Sequence, residues 1–239
     1  MNLQSPSTQL YAIIVAGGSG SRMQSQLPKQ YLPLLGKPIL MHTLEAFKAA
    51  SASLQLVLVL PQNDFGFWKE LCEKHSFSLP HQLVAGGNSR FQSVRNGLAQ
   101  VPPEALVAIH DGVRPLIGPG IIMESYRVAA ENGSAVAAVP LKDSIRQVQA
   151  DGSSQSLKRE AYRLMQTPQT FRAAAIHKAY QAPEQTLFTD CASVAEAAGQ
   201  AIFLVEGSYR NIKITTPEDL LFAEALLKQE KGSTEAPSL

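Results

Sequence analysis

The chain alternates between short, mostly apolar runs and longer stretches in which apolar residues recur every three or four positions. The runs are rich in Val, Ile, Leu and Ala. They cover residues 11–15, 54–60, 81–84, 105–110 and 135–139. Runs of this composition predict strands that are buried on both faces, as in parallel sheets.

The stretches between the runs have the spacing of amphipathic helices. They cover residues 38–50, 64–75, 89–100, 119–132, 172–181 and 189–198. Two further short strands are predicted at 201–205 and 212–214. Ser89 with Gln92 predicts a capping box, and Thr189 occupies an N-cap position. Strands that alternate with helices predict an α/β fold, with a mostly parallel sheet covered by helices on both faces.

The alternation breaks between residues 141 and 166. Here S-I-R-Q-V-Q alternates like an exposed strand, and Asp151-Gly152 is a strong signal for a hairpin turn. The segment has too little apolar surface to be stable alone, so we expect it to pack on another part of the assembly. A partner subunit is the natural candidate, and the alternative is a long surface hairpin in a monomer.

The length of 239 residues fits a single α/β domain, with a polar tail at 231–239 that we expect to be flexible. A formal net charge of +1 indicates no polybasic surface for nucleic acid or membrane. The chain has no recognisable signal peptide, and no apolar run approaches the ~20 residues that span a bilayer. We therefore expect a cytoplasmic protein in which Cys72 and Cys191 pack as small apolar residues.

A glycine-rich loop with two cations follows the first predicted strand. Gly17, Gly18 and Gly20 lack a Cβ, so the backbone can approach a ligand closely and turn its N–H groups toward phosphate oxygens. Arg22 and Lys29 add positive charge. The loop matches neither the ATPase P-loop nor the dinucleotide fingerprint. It is a candidate polyphosphate site of another kind, and the alternative is a plain turn between a strand and a helix.

Other candidate side chains follow other predicted strands, whose carboxyl ends meet at one edge of a parallel sheet. Asn88 and Ser93, beside Gly86-Gly87, offer an amide and a hydroxyl to a base or ribose. Asp111, shortly before Arg114, can hold Mg²⁺ or a ribose hydroxyl near phosphate. The alternative is an Asp–Arg ion pair that closes a turn.

Three further positions carry basic or titratable side chains: Lys213, an arginine of segment 141–166, and His110. Lys213 lies among apolar neighbours in a predicted strand. Leaving a buried lysine unpaired is costly, so we expect an anionic partner such as a phosphate. An arginine of segment 141–166 could reach a neighbouring subunit's substrate, although most charges there suit a solvated surface. We expect His110 to be packed at the end of its strand.

These segments together resemble one family. The motifs are A-G-G-S-G-S-R-M (16–23), L-P-K-Q-Y (27–31), G-G-N-S-R-F-Q-S-V (86–94), H-D-G-V-R-P (110–115), T-P-Q-T-F (167–171), F-T-D-x-A-S (188–193) and N-I-K-I-T-T-P-E-D-L (211–220). In this order they resemble the 2-C-methyl-D-erythritol 4-phosphate cytidylyltransferases of the non-mevalonate isoprenoid pathway. The resemblance implies a three-layer, Rossmann-like nucleotidyltransferase fold with a protruding β-arm at 141–166. It also implies a homodimer formed through that arm and a Mg²⁺-dependent transfer of CMP from CTP to methylerythritol phosphate.

The resemblance assigns roles by position. For the CTP triphosphate it implies Ala16, Gly17, Gly18, Gly20 and the catalytic cations Arg22 and Lys29. For cytosine, ribose and metal it implies Gly87, Asn88, Ser93, Asp111 and Gly112, with Asp111 on the metal. For the sugar phosphate it implies Arg114, Thr189 and Lys213, and from the partner subunit's arm Ser144 and Arg159.

Three alternatives remain open at the level of sequence. The glycine-rich loop and T-P-Q-T-F are shared with ribitol-5-phosphate cytidylyltransferases, so ribitol 5-phosphate is an alternative acceptor. A transferase that makes a sugar nucleotide from UTP or GTP is the second alternative. The third is a non-catalytic nucleotide-binding module, which would not require charges suited to both reactants. Several family members carry an acidic residue where Arg210 stands, so a second carboxylate on the metal is not indicated here.

Overall fold

The computed structural model describes residues 8–18, 23, 25 and 27–234 of the chain. Its strands are β1 Leu10–Val15, β2 Pro33–Leu34, β3 Lys37–Pro38, β4 Gln55–Leu60, β5 Gln82–Ala85, β6 Leu106–Asp111, β7 Ser134–Pro140, β8 Ile145–Val148, β9 Ser154–Leu157, β10 Arg163–Arg172 and β11 Leu204–Glu206. Its helices are α1 Ile39–Ala50, α2 Phe65–Lys74, α3 Arg90–Leu98, α4 Pro119–Asn132, α5 Ala173–Ala179, α6 Cys191–Ala197 and α7 Pro217–Thr234.

Seven strands form one sheet in the order β11-β7-β10-β6-β1-β4-β5. The pairs β1–β4, β1–β6, β4–β5 and β7–β11 are parallel, whereas β10 runs antiparallel to both β6 and β7. The prediction of a mostly parallel sheet is therefore confirmed. Because the carboxyl ends of β1, β4, β5 and β6 lie at one edge, the loops that follow these strands can converge.

Strand β10 was not expected from the sequence because it has no apolar run. Its centre carries the buried polar residues Gln166, Thr167, Gln169 and Thr170. These side chains find specific partners; the Thr170 hydroxyl, for example, lies 2.8 Å from the hydroxyl of Ser125 on α4. Buried polar groups are tolerated when they are hydrogen-bonded, so tertiary contacts here override the composition.

Helices cover both faces of the sheet, which makes three layers. Successive residues of a strand point to opposite faces. Accordingly Ile14 packs in a core with Phe47 of α1 and Trp68 of α2, whereas Ile13 packs in the opposite core with Val94 of α3. Helix α4 joins the first core, and α5 and α6 join the second. Each buried Ile or Phe contributes about 1.5–3 kcal/mol, so these two cores hold the strand ends in place.

The segment after β7 forms an antiparallel hairpin from β8 and β9, called the β8–β9 hairpin below. Ile145 pairs with Leu157 and Val148 with Ser154, and Gly152 has a positive φ of 83° in the turn. The hairpin forms a two-stranded sheet of its own, and most of its side chains are exposed. Its strands and turn are as predicted. That it protrudes as a dimerisation arm stays a prediction.

Several predicted elements differ from those observed. The segment 212–214 is not a strand, because Ile214 instead packs beside Ala223 in a small core under α7. The strand predicted at 201–205 is β11, displaced toward the C-terminus. Helix α6 is capped by Asp190 rather than by Thr189, because the Asp190 carboxylate accepts from the Ser193 N–H. Helix α7 continues to Thr234, so the first residues of the predicted tail are helical.

None of the helices in the described part of the chain is long and apolar enough to cross a membrane.

Candidate active site

A cavity of about 440 Å³ opens where β1, β5 and β6 end. It is lined by Val15, Ala16, Gly17, Gly18, Lys29, Gln30, Gly87, Asn88, Ser89, Arg90, Ser93, Asp111, Val113 and Lys213. The cavity therefore unites the glycine-rich loop, the segment after β5, the end of β6 and the segment before α7. This is the convergence that the sequence predicts for the carboxyl edge of a parallel sheet.

The first wall of the cavity is the start of the glycine-rich loop. The Ala16 N–H donates to the Val59 carbonyl at 3.0 Å, which fixes the loop to the end of β4. Gly17 and Gly18 are exposed, and a Cβ on Gly18 would meet no atom within 4 Å. Packing within the described residues therefore leaves this backbone open to a ligand. Gly20 and Arg22, which the sequence assigns to the same loop, lie outside the described residues.

The second wall is the turn from β5 into α3. A Cβ on Gly87 would lie 2.3 Å from the Gln92 Cβ, so this position requires glycine. The Gly87 N–H donates to the Ser93 hydroxyl at 3.1 Å, and the Ser89 hydroxyl accepts from the Gln92 N–H at 3.1 Å. Ser89 is thus the N-cap, as predicted.

The reciprocal half of the predicted capping box takes another form. The Gln92 side-chain oxygen accepts from the Asn88 N–H at 3.1 Å instead of from Ser89. This bond closes the turn one residue earlier. These hydrogen bonds link the two ends of the segment 87–93, and the positive end of the α3 dipole lies at the cavity.

The third wall is the Asp111 cluster, which we define as Asp111 with Arg90, Arg114 and Lys213. Lys213 Nζ lies 3.0 Å from Asp111 Oδ2. Arg114 Nε donates to Oδ2 and Arg90 Nη2 donates to Oδ1, each at 3.4 Å. The Asp111 side chain is only 10% exposed. Three cations around one carboxylate leave an excess of positive charge, which prepares the cluster for an anion.

The ionisation of this region follows from its burial and charges. Burial raises the pKa of Asp111, but Arg90, Lys213 and Arg114 outweigh it and hold that pKa well below its usual range. Burial also lowers the pKa of His110 to about 3. The His110 ring is neutral at pH 7 and packs against Phe47 at 4.8 Å between ring centroids. The prediction of a packed histidine at the end of the strand is confirmed.

Two predicted binding residues beside Asp111 do not line the cavity. The Gly112 N–H donates to the Val15 carbonyl at 2.9 Å, and its carbonyl accepts from the Thr43 hydroxyl at 2.9 Å. A Cβ on Gly112 would lie 2.8 Å from the Ala16 Cβ, so this glycine permits the close packing of β1 and β6. Arg114 donates to Asp111 and, at 2.8 Å, to the Asn211 carbonyl. It has the Asp–Arg pairing that the sequence left as the alternative.

An anionic partner expected for Lys213 is present in the Asp111 carboxylate, and the expected contact with a phosphate stays a prediction. The Lys213 side chain is 41% exposed, since segment 212–214 is a loop and not a buried strand. The lysine therefore combines an internal anchor with access to the cavity. Asn211, which is buried, holds this loop by donating to the Thr167 carbonyl at 2.8 Å.

Three predicted substrate residues are not among those that line the cavity. Thr189 is exposed just before the α6 N-cap. Ser144 is exposed at the base of the β8–β9 hairpin, and the Arg159 guanidinium donates to the Lys142 carbonyl. The roles of all three stay predictions.

Arg90 is a cavity residue that the sequence interpretation did not assign. Besides Asp111, it donates to the Cys191 sulfur at 3.2 Å. A cation in the first turn of a helix is disfavoured by the helix dipole. Arginine directly after the predicted N-cap Ser89 was therefore a signal that an anion lies nearby.

The described residues contain no group of three or more His, Cys, Asp or Glu side chains that could hold a metal ion. Asp111 is the one carboxylate among the residues that line this cavity. Such a site does not suit a metal held by protein ligands alone. It does fit Mg²⁺ that takes most of its ligands from substrate phosphates and water, as Mg²⁺ commonly does.

Comparisons with known proteins agree with this geometry. Residues 10–229 match the family model described as 2-C-methyl-D-erythritol 4-phosphate cytidylyltransferase. A curated protein of that description from Bacteroides thetaiotaomicron is 48% identical over 215 residues, which is 90% of this chain and 98% of the relative.

Solved structures give the same result. The 4-diphosphocytidyl-2C-methyl-D-erythritol synthase of Anaerococcus prevotii superposes with a TM-score of 0.80 at 30% identity, covering 92% of this chain and 96% of that one. The 2-C-methyl-D-erythritol 4-phosphate cytidylyltransferase of Thermus thermophilus superposes with a TM-score of 0.75 at 29% identity, covering 92% and 100%. The chain belongs to the 2-C-methyl-D-erythritol 4-phosphate cytidylyltransferase family.

Proposed function

We propose that this protein transfers the cytidylyl group of CTP to 2-C-methyl-D-erythritol 4-phosphate and releases pyrophosphate. The observation that carries the proposal is the cavity, which combines an open glycine backbone and a helix N-terminus with Lys29, Arg90 and Lys213. Both reactants are polyanions, so their main requirements are charge neutralisation and alignment. A cytoplasmic location is part of the same proposal.

In the proposed reaction, a phosphate oxygen of the acceptor attacks the α-phosphorus of CTP in line. The bond from the α-phosphorus to the bridging oxygen breaks, and pyrophosphate leaves with its electron pair. Lys29, together with Arg22, stabilises the charge that develops on the α-phosphate and the leaving group. Ala16, Gly17, Gly18 and Gly20 surround the triphosphate.

Gly87, Asn88 and Ser93 face the base in this proposal. The Ser93 hydroxyl accepts from the Gly87 N–H and keeps its own hydrogen for donation. It can therefore donate to a carbonyl oxygen such as that of cytosine. Gly112, whose backbone groups are both bonded within the protein, shapes the ribose side of the site by permitting close packing.

Lys213 is the cation that we assign most directly to the sugar phosphate, because it is exposed at the cavity and, among the described residues, pairs with Asp111. Arg114 and Thr189 belong to the same proposal. Arg114 would act from its place on Asp111 and Asn211. Ser144 and Arg159 would come from the β8–β9 hairpin of a partner subunit in a homodimer.

Asp111 is the residue that would hold Mg²⁺, together with phosphate oxygens of the nucleotide. When bound, the ion would neutralise charge on the phosphates. Through its carboxylate, Asp111 would also keep Lys213 and Arg90 directed at the cavity, a role that its contacts support without any metal.

Pyrophosphate release from CTP tests the proposal, with methylerythritol 4-phosphate and ribitol 5-phosphate supplied in parallel and with UTP and GTP as controls. We expect Mg²⁺-dependent turnover with methylerythritol phosphate and CTP. Turnover with ribitol phosphate alone would keep the chemistry and contradict the acceptor. Absence of turnover with every pair would contradict the proposed function.

A further inference from the structure

Lys29, the cation that we assign to the leaving group, stands on very little secondary structure. It opens a 3₁₀ helix of only three residues, Lys29–Tyr31. Within this turn the Tyr31 N–H donates to the Pro28 carbonyl at 2.9 Å, and the Leu32 N–H donates to the Lys29 carbonyl at 3.2 Å. A single turn of this kind has poor hydrogen-bond geometry and does not hold a side chain in place by itself.

Tyr31, two residues after Lys29, fastens the turn to the body of the protein. The Tyr31 side chain is 2% exposed, and its ring meets the edge of Phe67 at 5.2 Å between centroids. Its hydroxyl donates to Asp64 Oδ2 at 2.9 Å, a bond between residues 33 positions apart. The turn is therefore fastened to the start of α2.

Asp64 lies where a 3₁₀ helix, Gln62–Asp64, runs directly into α2. Its backbone is helical there, and its side chain makes no capping hydrogen bond. Its carboxylate accepts from Tyr31 instead. Burial, and then Asp64, raise the pKa of Tyr31 well above its usual range, so the phenol remains a donor at neutral pH.

We propose that Tyr31, through its hydrogen bond to Asp64, is a positioning residue for Lys29. The bond ties the turn that carries Lys29 to α2 and keeps the ammonium group at the cavity. This inference rests on the role of Lys29 in the proposed function. It predicts that loss of the phenol hydroxyl misplaces a charge without removing it.

The test compares Tyr31→Phe with Tyr126→Phe. Tyr126 is a matched control: it is 3% exposed, and its hydroxyl donates to the Tyr11 carbonyl at 2.6 Å, away from the cavity. Both variants lose one buried phenol hydrogen bond. Because small misplacements of a charged group are costly in catalysis, we expect Tyr31→Phe to lower kcat by about 10- to 100-fold, with the KM for CTP little changed. We expect Tyr126→Phe to keep the wild-type kcat.

Two further variants separate positioning from general weakening of the fold. Asp64→Asn keeps an acceptor oxygen and should retain most of the activity, whereas Asp64→Ala should match Tyr31→Phe. In a Lys29→Ala background, Tyr31→Phe should cause no further loss, because no ammonium group is left to position. Thermal unfolding of each variant shows how far the fold itself is weakened.

Three results would overturn the inference. They are an unchanged kcat in Tyr31→Phe, equal losses of kcat in Tyr31→Phe and Tyr126→Phe, and a further loss in the Lys29→Ala background. A wild-type protein without turnover would contradict the proposed function instead. Wild-type activity is therefore measured first, which keeps the two failures distinct.

Discussion

The carboxyl end of β6 and the β8–β9 hairpin both carry charged residues that the sequence assigns to substrate, but the chain fixes them differently. Asp111 is nearly buried and holds cations from three separate parts of the chain. In the hairpin, Arg146 donates to Ser154 and Arg159 donates to Lys142, all within the same short segment. Distant parts of the chain organise the Asp111 cluster, whereas the hydrogen bonds described for Arg146 and Arg159 stay within the segment 141–166. Geometry thus separates a part of the cavity that distant segments of the chain preorganise from a segment whose charges are bonded only locally.

The strongest test of this contrast is Asp111→Ala. Removal of one partner from a buried ion pair typically costs about 3–5 kcal/mol, and here it leaves three neighbouring cations without their shared carboxylate. We expect the free energy of unfolding to fall by about 3 kcal/mol and turnover to collapse. Urea denaturation with and without the substitution measures the first effect. An unchanged unfolding midpoint would mean that the cluster is not organised by its carboxylate.

Lys29→Ala, at the same cavity as the Asp111 cluster, should lower the rate of catalysis without lowering the stability of the fold. Loss of one electrostatic donor to a developing charge typically costs ~10²–10³ in rate, so we expect a kcat lower by that factor. Lys29 is half-buried at the cavity and begins only a short turn, so the unfolding midpoint should hardly move. Steady-state pyrophosphate release measures kcat. Near-normal turnover in the variant would contradict the catalytic role of Lys29.

The dependence of stability on acid pH tests the burial of His110 at the end of β6. The folded-state pKa of His110 is about 3, whereas an unfolded histidine titrates at about 6.5. The unfolded chain therefore binds more protons below pH 6.5, and stability should fall as the pH decreases from about 6.5 toward 3, by at most about 1.4 kcal/mol per pH unit.

The Asp111 contribution is present above the unfolded pKa of about 4 and is lost only as the pH falls further, through its depressed folded pKa. Denaturation of wild type and His110→Gln between pH 4 and 7 measures the slope. The wild-type slope should exceed that of the variant. Equal slopes would contradict the assignment to His110.

The smallest expected effect on stability is that of Arg159→Ala in the hairpin. Its side chain is 47% exposed, and its contacts with the described residues are local, so the free energy of unfolding should change by less than about 0.5 kcal/mol. If a partner's hairpin completes the site, the KM for the sugar phosphate should rise while the KM for CTP stays constant. Light scattering after size exclusion must also show a dimer, and a monomer would exclude Arg159 from a partner's site.

The sequence predicts the structure of a segment well where neighbouring residues determine it, and poorly where contacts with distant residues determine it. Apolar runs found β1, β4, β6 and β7 because burial on both faces demands such composition. The same reasoning missed β10, whose buried polar side chains are satisfied by residues remote in sequence. The carboxyl-edge rule correctly placed Gly17, Asn88 and Asp111 around one cavity.

The carboxyl-edge rule does not predict which charged side chains pair with one another. Lys213 was expected to need an anion, but its pairing with Asp111 joins residues about a hundred positions apart. The Asp111–Arg114 pair, three residues apart, was an alternative that the sequence offered, whereas the approach of Arg90 to the same carboxylate joins distant segments. Local signals such as the Ser89 cap were read correctly, since the donor and acceptor lie within one turn.

The antiparallel course of β10 has a consequence for the way the chain can vary. Because Arg163 at the start of β10 pairs with Pro140 at the end of β7, the chain leaves and re-enters the sheet at neighbouring points. Topologically, everything between these two residues replaces an ordinary tight turn. The hairpin is therefore an insertion between two adjacent strands, and its length and sequence can change without altering the register of any strand in the sheet.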